Sequence, residues 1–196
     1  MDRIGALILA ADGGDAFGGP LALAPWGDTT LVEHLVAVTA PHVDVVVVVL
    51  GADVEDVLRS TDLGDATVVI NPEWDLGPTA SLRVGLDLLT RDGDVGAVLV
   101  VDGDQPQLDA SVVAHVVEAH RATRASITMP KYRYARGGPM VIARSLWPRA
   151  IGLASEATLS GLVKAHPEGT DEVWVDRVPP HRVTSTADLA EVAPRH

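Results

Sequence analysis

The chain reads as an α/β protein: a three-layer α/β/α stack on a mostly parallel central sheet. Two observations carry that reading, namely strand-length runs that are apolar throughout and amphipathic segments between them. Val43 to Leu50 contains five consecutive valines, and a strand with no polar face needs cover on both sides. Thr30 to Ala40, just before it, reads as a helix. Thr30 and Glu33 have the spacing of a capping box, and Leu31, Leu35 and Val38 share one side. With Ile4 to Ala11 as a first buried strand, these segments make a β-α-β unit.

The alternation continues. Ala52 to Arg59 is a short acidic helix, Ala66 to Ile70 a third strand, and Thr79 to Leu89 a helix with Leu82, Leu86 and Leu89 on one face. Ala97 to Val101 is a fourth buried strand, followed by a helix from Asp109 to Arg124. Ser126 to Met129, Met140 to Ala143 and Val173 to Val178 are further strand candidates, with helices at Leu146 to Ala150 and Leu159 to Ala165. A last helix begins at Ser185 or Thr186. No repeat or long linker intervenes, so residues 1–196 read as one domain.

Composition narrows the function. A chain of 196 residues with 47% hydrophobic and 21% charged residues can bury a sizeable core. Fifteen Lys and Arg against 27 Asp and Glu give a formal charge of -12. Such a surface repels nucleic acid and anionic membrane, and neither is expected as a partner. The absence of cysteine removes disulfides, thiolate catalysis and Cys-ligated metal centres. The apolar N-terminal run ends at Ala11, too short to span a bilayer and without a signal-peptide cleavage pattern, so a cytoplasmic protein is expected.

In an open parallel sheet, ligands bind in the loops beyond the strand C-termini. The first such loop, Asp12 to Pro20, is rich in glycine, and backbone N–H groups at Gly13, Gly14 and Gly18 could approach a phosphate. It is neither a dinucleotide fingerprint nor a Walker loop, and no Lys or Arg lies between Ile4 and Leu58. A flexible surface loop is the alternative. After the fourth strand comes Asp102-Gly103-Asp104-Gln105-Pro106. If strand geometry persists, Asp102 and Asp104 point to one side, and such hard oxygen ligands suit Mg2+. Otherwise one aspartate merely caps the next turn. In Asn71 to Arg83, Asn71 and Ser81 are candidate hydrogen-bonding residues, Arg83 is the nearest cation for an anion, and Trp74 either stacks on a heterocycle or covers the sheet edge. Lys131, Arg133 and Arg136 either hold an anionic substrate or are solvated. The histidines show no zinc-ligand spacing.

Together these segments resemble the MobA-like nucleotidyltransferases, in particular their molybdenum-cofactor cytidylyltransferase branch, over nearly the entire chain. Gly103-Asp104-Gln105-Pro106 is the family's magnesium-binding GDQP motif, and Asn71 to Arg83 follows its NPxWxxGxxxSLRxG segment. Leu9-Ala10-Ala11 opens the family's LAAG loop, but Asp12 follows, Ala16 stands at the arginine position, Gly18 is kept, and Pro20-Leu21 stands where Pro-Lys is expected. The RGHP turn is Arg136-Gly137-Gly138-Pro139, and a GDxG turn would fall at Ser155 to Thr158. The DIDTPEDL segment is Arg182 to Leu189, its second aspartate falling on Thr184.

The resemblance implies a Rossmann-like nucleotidyltransferase fold and transfer of a nucleotidyl group from CTP or GTP to a phosphorylated, pterin-type acceptor. It places Ala10, Ala11, Gly13, Gly14, Gly18, Asn71, Ser81 and Arg83 at the nucleotide, with Asp104 on Mg2+ and Asp102 in the carboxylate role vacated at Thr184. The missing loop cations set the site against a triphosphate. The expectation is therefore a protein with degenerate catalytic motifs that keeps nucleotide or cofactor binding. The alternative is an active Mg2+-dependent transferase with redistributed ligands. A protein partner and the oligomeric state are left open.

Overall fold

Residues 3–153 and 159–193 are described by a computed structural model. Alternate residues of each central strand feed two apolar layers. On β1 (Arg3–Ala10), Ile4, Ala6 and Ile8 face one layer and Leu7 the other; on β4 (Val45–Leu50) the even and odd valines divide in the same way. That division explains why neither strand carries a polar face.

Between them lie a two-residue hairpin, β2 (Pro25–Trp26) and β3 (Thr29–Thr30), and α1 (Leu31–Thr39). The Thr30–Glu33 capping box forms as expected. The chain continues through α2 (Val54–Ser60), β5 (Thr67–Ile70), α3 (Pro78–Thr90), β6 (Val95–Asp102) and α4 (Ala110–Thr123). It ends with β7 (Ile127–Lys131), β8 (Met140–Ala143), α5 (Trp147–Ile151), α6 (Leu159–Ala165), β9 (Thr170–Trp174) and α7 (Thr186–Val192).

The seven-stranded sheet has the order β5-β4-β1-β6-β8-β7-β9. Strands β5, β4, β1 and β6 run parallel, β8 is antiparallel to both its neighbours, and β9 pairs parallel with β7. Helices α1, α4 and α7 cover one face through Leu35, Val116 and Leu189; α3, α5 and α6 cover the other through Leu86, Trp147 and Leu162. The expected α/β/α stack is what forms.

Two boundaries differ from expectation. The last strand occupies Thr170–Trp174 rather than Val173 to Val178. It is an edge strand whose first residues are polar and partly exposed, so its start carries no apolar run, and Pro179-Pro180 follow its exit. The loop from Asp12 is also less irregular than expected, with 3-10 turns at Asp15–Phe17 and Leu21–Leu23 before the hairpin.

The chain order reverses at β1, which lies between β4 and β6. The crevice beyond the C-terminal ends of β1 and β6 is thus a topological switch point, where open α/β sheets bind ligands.

Candidate functional site

A cavity of about 320 Å3 opens at that switch point, lined by Leu9 to Asp12, Trp74, Ser81, Asp102 to Asp104 and Arg182, among others. Strand β6 ends at Asp102, and the chain turns at Gly103 directly beneath β1. A Cβ on Gly103 would lie 2.3 Å from the Leu9 carbonyl oxygen, so only glycine fits that approach. The turn holds Asp102 and Asp104 close enough for one group to reach both.

That group is Arg182. Its Nη2 donates to Asp102 Oδ2 at 2.8 Å, and its Nε donates to Asp104 Oδ1 at 3.2 Å and lies 2.9 Å from Oδ2 of the same carboxylate. The arginine is placed by its neighbour. Val183 is buried at 2% exposure in the α1/α4 layer, and its N–H donates to the Asp104 carbonyl at 2.8 Å. The segment beyond is fixed by the α7 N-terminus: Thr184 N–H and hydroxyl both donate to Asp188, whose own N–H donates to Ser185 Oγ. Burial raises both Asp102 and Asp104 above their ordinary pKa, and the opposing pull of the Arg182 guanidinium does not overcome it.

The first loop is tied to itself. Asp12 Oδ1 accepts the Gly14 N–H at 2.6 Å, and Gly14, at φ +62°, accepts from Phe17 and Gly19 through its carbonyl. The Gly14 N–H expected to cradle a phosphate therefore already has an anionic acceptor. Gly13 and Gly14 line a neighbouring cleft with Ala16, Thr184 and Asp104, while Gly18 lies outside both that cleft and the main cavity. Ala10 and Ala11 form the buried floor of the cavity. Trp74 lies over the loop; a Cβ on Gly13 would lie 2.7 Å from its ring, and one on Gly51 2.4 Å from its Cβ. The indole thus packs on protein and lines the cavity at once.

The remaining expected residues divide. Ser81 lines the cavity, and its Oγ accepts from Asn71 Nδ2 at 3.0 Å. Asn71, at 1% exposure, also accepts from the Glu73 N–H, so it braces the β5 exit rather than facing the cavity. Arg83, the expected anion partner, points elsewhere and donates to the Ile151 and Leu153 carbonyls at the C-terminal end of α5. Arg133 pairs with Asp176, and Lys131 and Arg136 pair with Glu172. The Ser155 to Thr158 turn lies outside the described residues.

A second cavity of about 530 Å3 adjoins the first and shares Leu9, Pro78, Asp102 and Arg182 with it. Its walls are largely apolar, including Leu82, Val100, Met129 and Met140, with Arg136 and Lys164 at its edge. Arg182 therefore stands at the partition between two chambers. Sequence reasoning passed over it, although aligning Arg182 to Leu189 with the DIDTPEDL segment puts Arg182 at the position of the first aspartate.

Asp102 and Asp104 are both ion-paired to the Arg182 guanidinium, so a divalent ion would have to displace it to reach the two carboxylates.

Comparison with known proteins agrees with this architecture. The chain is 33% identical over 165 residues to nicotine blue oxidoreductase of Paenarthrobacter nicotinovorans, covering 79% of this chain and 76% of that protein. It is 35% identical over 133 residues to the bifunctional protein GlmU of Mycolicibacterium paratuberculosis, covering 63% of this chain but only 26% of GlmU. The crystal structure of the Rv0371c homologue from Mycobacterium sp. strain JC1 superposes with a TM-score of 0.83 at 25% identity, covering 97% of this chain and 94% of that one. The model of the MobA-like NTP transferase domain matches residues 6–170, from within β1 through the Gly103-Asp104-Gln105-Pro106 turn and the antiparallel β8, and the chain belongs to that family.

Proposed function

We propose that the cavity at the ends of β1 and β6 holds a nucleotide, CTP or GTP being the first candidates, and that nucleotidyl transfer to a phosphorylated, pterin-type acceptor is lost or much slowed. One observation carries this reading: Arg182 is the one Lys or Arg lining that cavity among the described residues, and two carboxylates already engage it. Transfer develops negative charge on the phosphates, and each preorganised donor aimed at it contributes about 3 kcal/mol. Two absent loop cations, at Ala16 and Leu21, therefore correspond to a loss on the order of 10^4-fold in rate. A magnesium-assisted cycle on Asp104 and Asp102 would first require Arg182 to leave them.

The test is calorimetric titration with CTP and GTP, paired with a pyrophosphate-release assay with Mg2+ or Mn2+ and a molybdopterin acceptor. Weak binding with release far slower than in a relative carrying the loop cations supports the reading. Micromolar affinity with rapid turnover overturns it.

A second reading comes from the 33% identical oxidoreductase together with the apolar second cavity. In it the first chamber holds a reduced nicotinamide nucleotide and the second a planar aromatic acceptor. The dihydronicotinamide gives up a hydride and becomes nicotinamidium, while the acceptor takes that hydride and a proton from water. The chain has no cysteine to serve as a thiol reductant, and in this reading both electrons come from the dihydronicotinamide. Oxidation of NADH or NADPH on addition of a quinonoid dye would favour this reading; no oxidation, with CTP or GTP bound, would exclude it.

A further inference from the structure

We propose that Arg182 occupies the seat of the family's divalent ion, so that this pocket binds its anionic ligand without metal. Three features place the guanidinium there. It donates to both carboxylates of Asp102-Gly103-Asp104, which is what a bridging cation would do. Its backbone position is fixed, because the Val183 N–H is bonded to the Asp104 carbonyl and the Val183 side chain is buried. And it sits on the partition between the two chambers, where a ligand spanning both would carry its phosphate.

The charge balance follows. Two carboxylates and one guanidinium leave a formal charge of -1, against -2 for the bare pair. A divalent ion must displace a tethered guanidinium whose effective concentration is set by the fold. The Arg182 side chain nonetheless remains 54% exposed, and its bonds to Asp102 and Asp104 run through Nη2 and Nε, leaving the Nη1 edge turned away from them. That edge is available to a phosphate oxygen, and a guanidinium suits such a partner. The ligand class is accordingly a nucleoside mono- or diphosphate, or a dinucleotide with a single diphosphate bridge. A metal-chelated triphosphate is disfavoured. The metal part stands on the ion pairs alone; the ligand part rests on the proposed nucleotide reading.

The experiment separates the two. Mn2+ is titrated into the protein alone, followed by electron paramagnetic resonance, for wild type, Arg182→Ala, Arg182→Lys and the double variant Arg182→Ala/Asp104→Asn. Wild type and Arg182→Lys are expected to leave Mn2+ free at submillimolar concentration. Arg182→Ala should gain at least tenfold in affinity, and the double variant should lose that gain. Tight Mn2+ binding by wild type, or a folded Arg182→Ala with unchanged affinity, overturns the proposal. If Arg182→Ala fails to fold, Arg182→Gln takes its place, and the wild-type titration still decides. In a second arm CMP, CDP and GDP are titrated with EDTA and with Mg2+, where equal affinities are expected and a tenfold dependence on Mg2+ would overturn the metal-free assignment. Failure of every nucleotide to bind under both conditions would sink the nucleotide reading while leaving the Mn2+ result intact.

Discussion

The two segments flanking the cavity differ in how they come by charge. The first loop is contiguous, glycine-rich and next to β1, yet it brings no cation, and its Asp12 is turned inward on the Gly14 N–H. The C-terminal segment is proline- and threonine-containing chain, remote in sequence from β6, yet it delivers a guanidinium onto two carboxylates. The electrostatics of this cavity are therefore set by a tertiary placement and not by the local motif that carries the family resemblance. Substitutions in each segment should separate the two roles.

The largest effect is expected at Leu21, where the family has lysine. Its side chain is 4% exposed, packed in the α1/α4 layer while also lining the first cavity and the cleft beside it. Leu21→Lys would place an ammonium in that layer unless its head reaches the cavity, and should cost about 3 kcal/mol in urea denaturation. An unchanged midpoint would show that the loop accepts the family's cation freely. Next comes Val183→Ala. Loss of about 2 kcal/mol is expected from a buried site, together with weaker nucleotide binding, because the Arg182 backbone loses its anchor. Destabilisation without any change in binding would break the link between Val183 and the cavity.

Ala16→Arg adds a cation at an exposed position of the cleft beside Asp104. Affinity for CTP should rise about tenfold, roughly 1.4 kcal/mol, and the gain should shrink at high salt. No gain would mean that the loop does not face the phosphates. The smallest effect is expected at Asp109, which ties the incoming C-terminal segment to α4 through Arg177 at 2.8 Å. Hydrogen bonds from Ser111 and then Arg177 hold its pKa at about 2, below the ordinary range of an aspartate. A carboxyl lowered in the folded state stabilises above its unfolded pKa, and that contribution is lost as pH falls from about 4 through about 2. Because Asp109 is 42% exposed, the contribution stays below about 1 kcal/mol. Asp109→Asn keeps the helix cap and should flatten the fall in Tm across that window. An equally steep fall would assign the acid sensitivity elsewhere.

The sheet was legible because burial on two faces writes itself into the sequence: the five valines of β4 leave no reading but a central strand. Thr30 and Glu33 likewise encode a cap by spacing alone. The site was legible only where it is local. Asp102 and Asp104 lie at the end of β6 as expected, since strand end and turn are neighbours in the chain. Arg182 was not legible from counting charges near the first loop, because 78 positions separate it from Asp104. Arg83 misled for the converse reason: it stands in a well-matched motif, but helix geometry turns it toward α5.

The placement of Trp74 has an optical consequence. Of the four tryptophans, Trp26 and Trp147 are buried and Trp174 is 56% exposed on the edge strand β9. Trp74 alone of them lines the cavity, its ring against the first loop. A ligand entering there changes the surroundings of one indole and leaves the other three as they were. The protein therefore carries its own emission reporter, one that would register occupancy of the first chamber without a label and stay silent when only the second chamber fills.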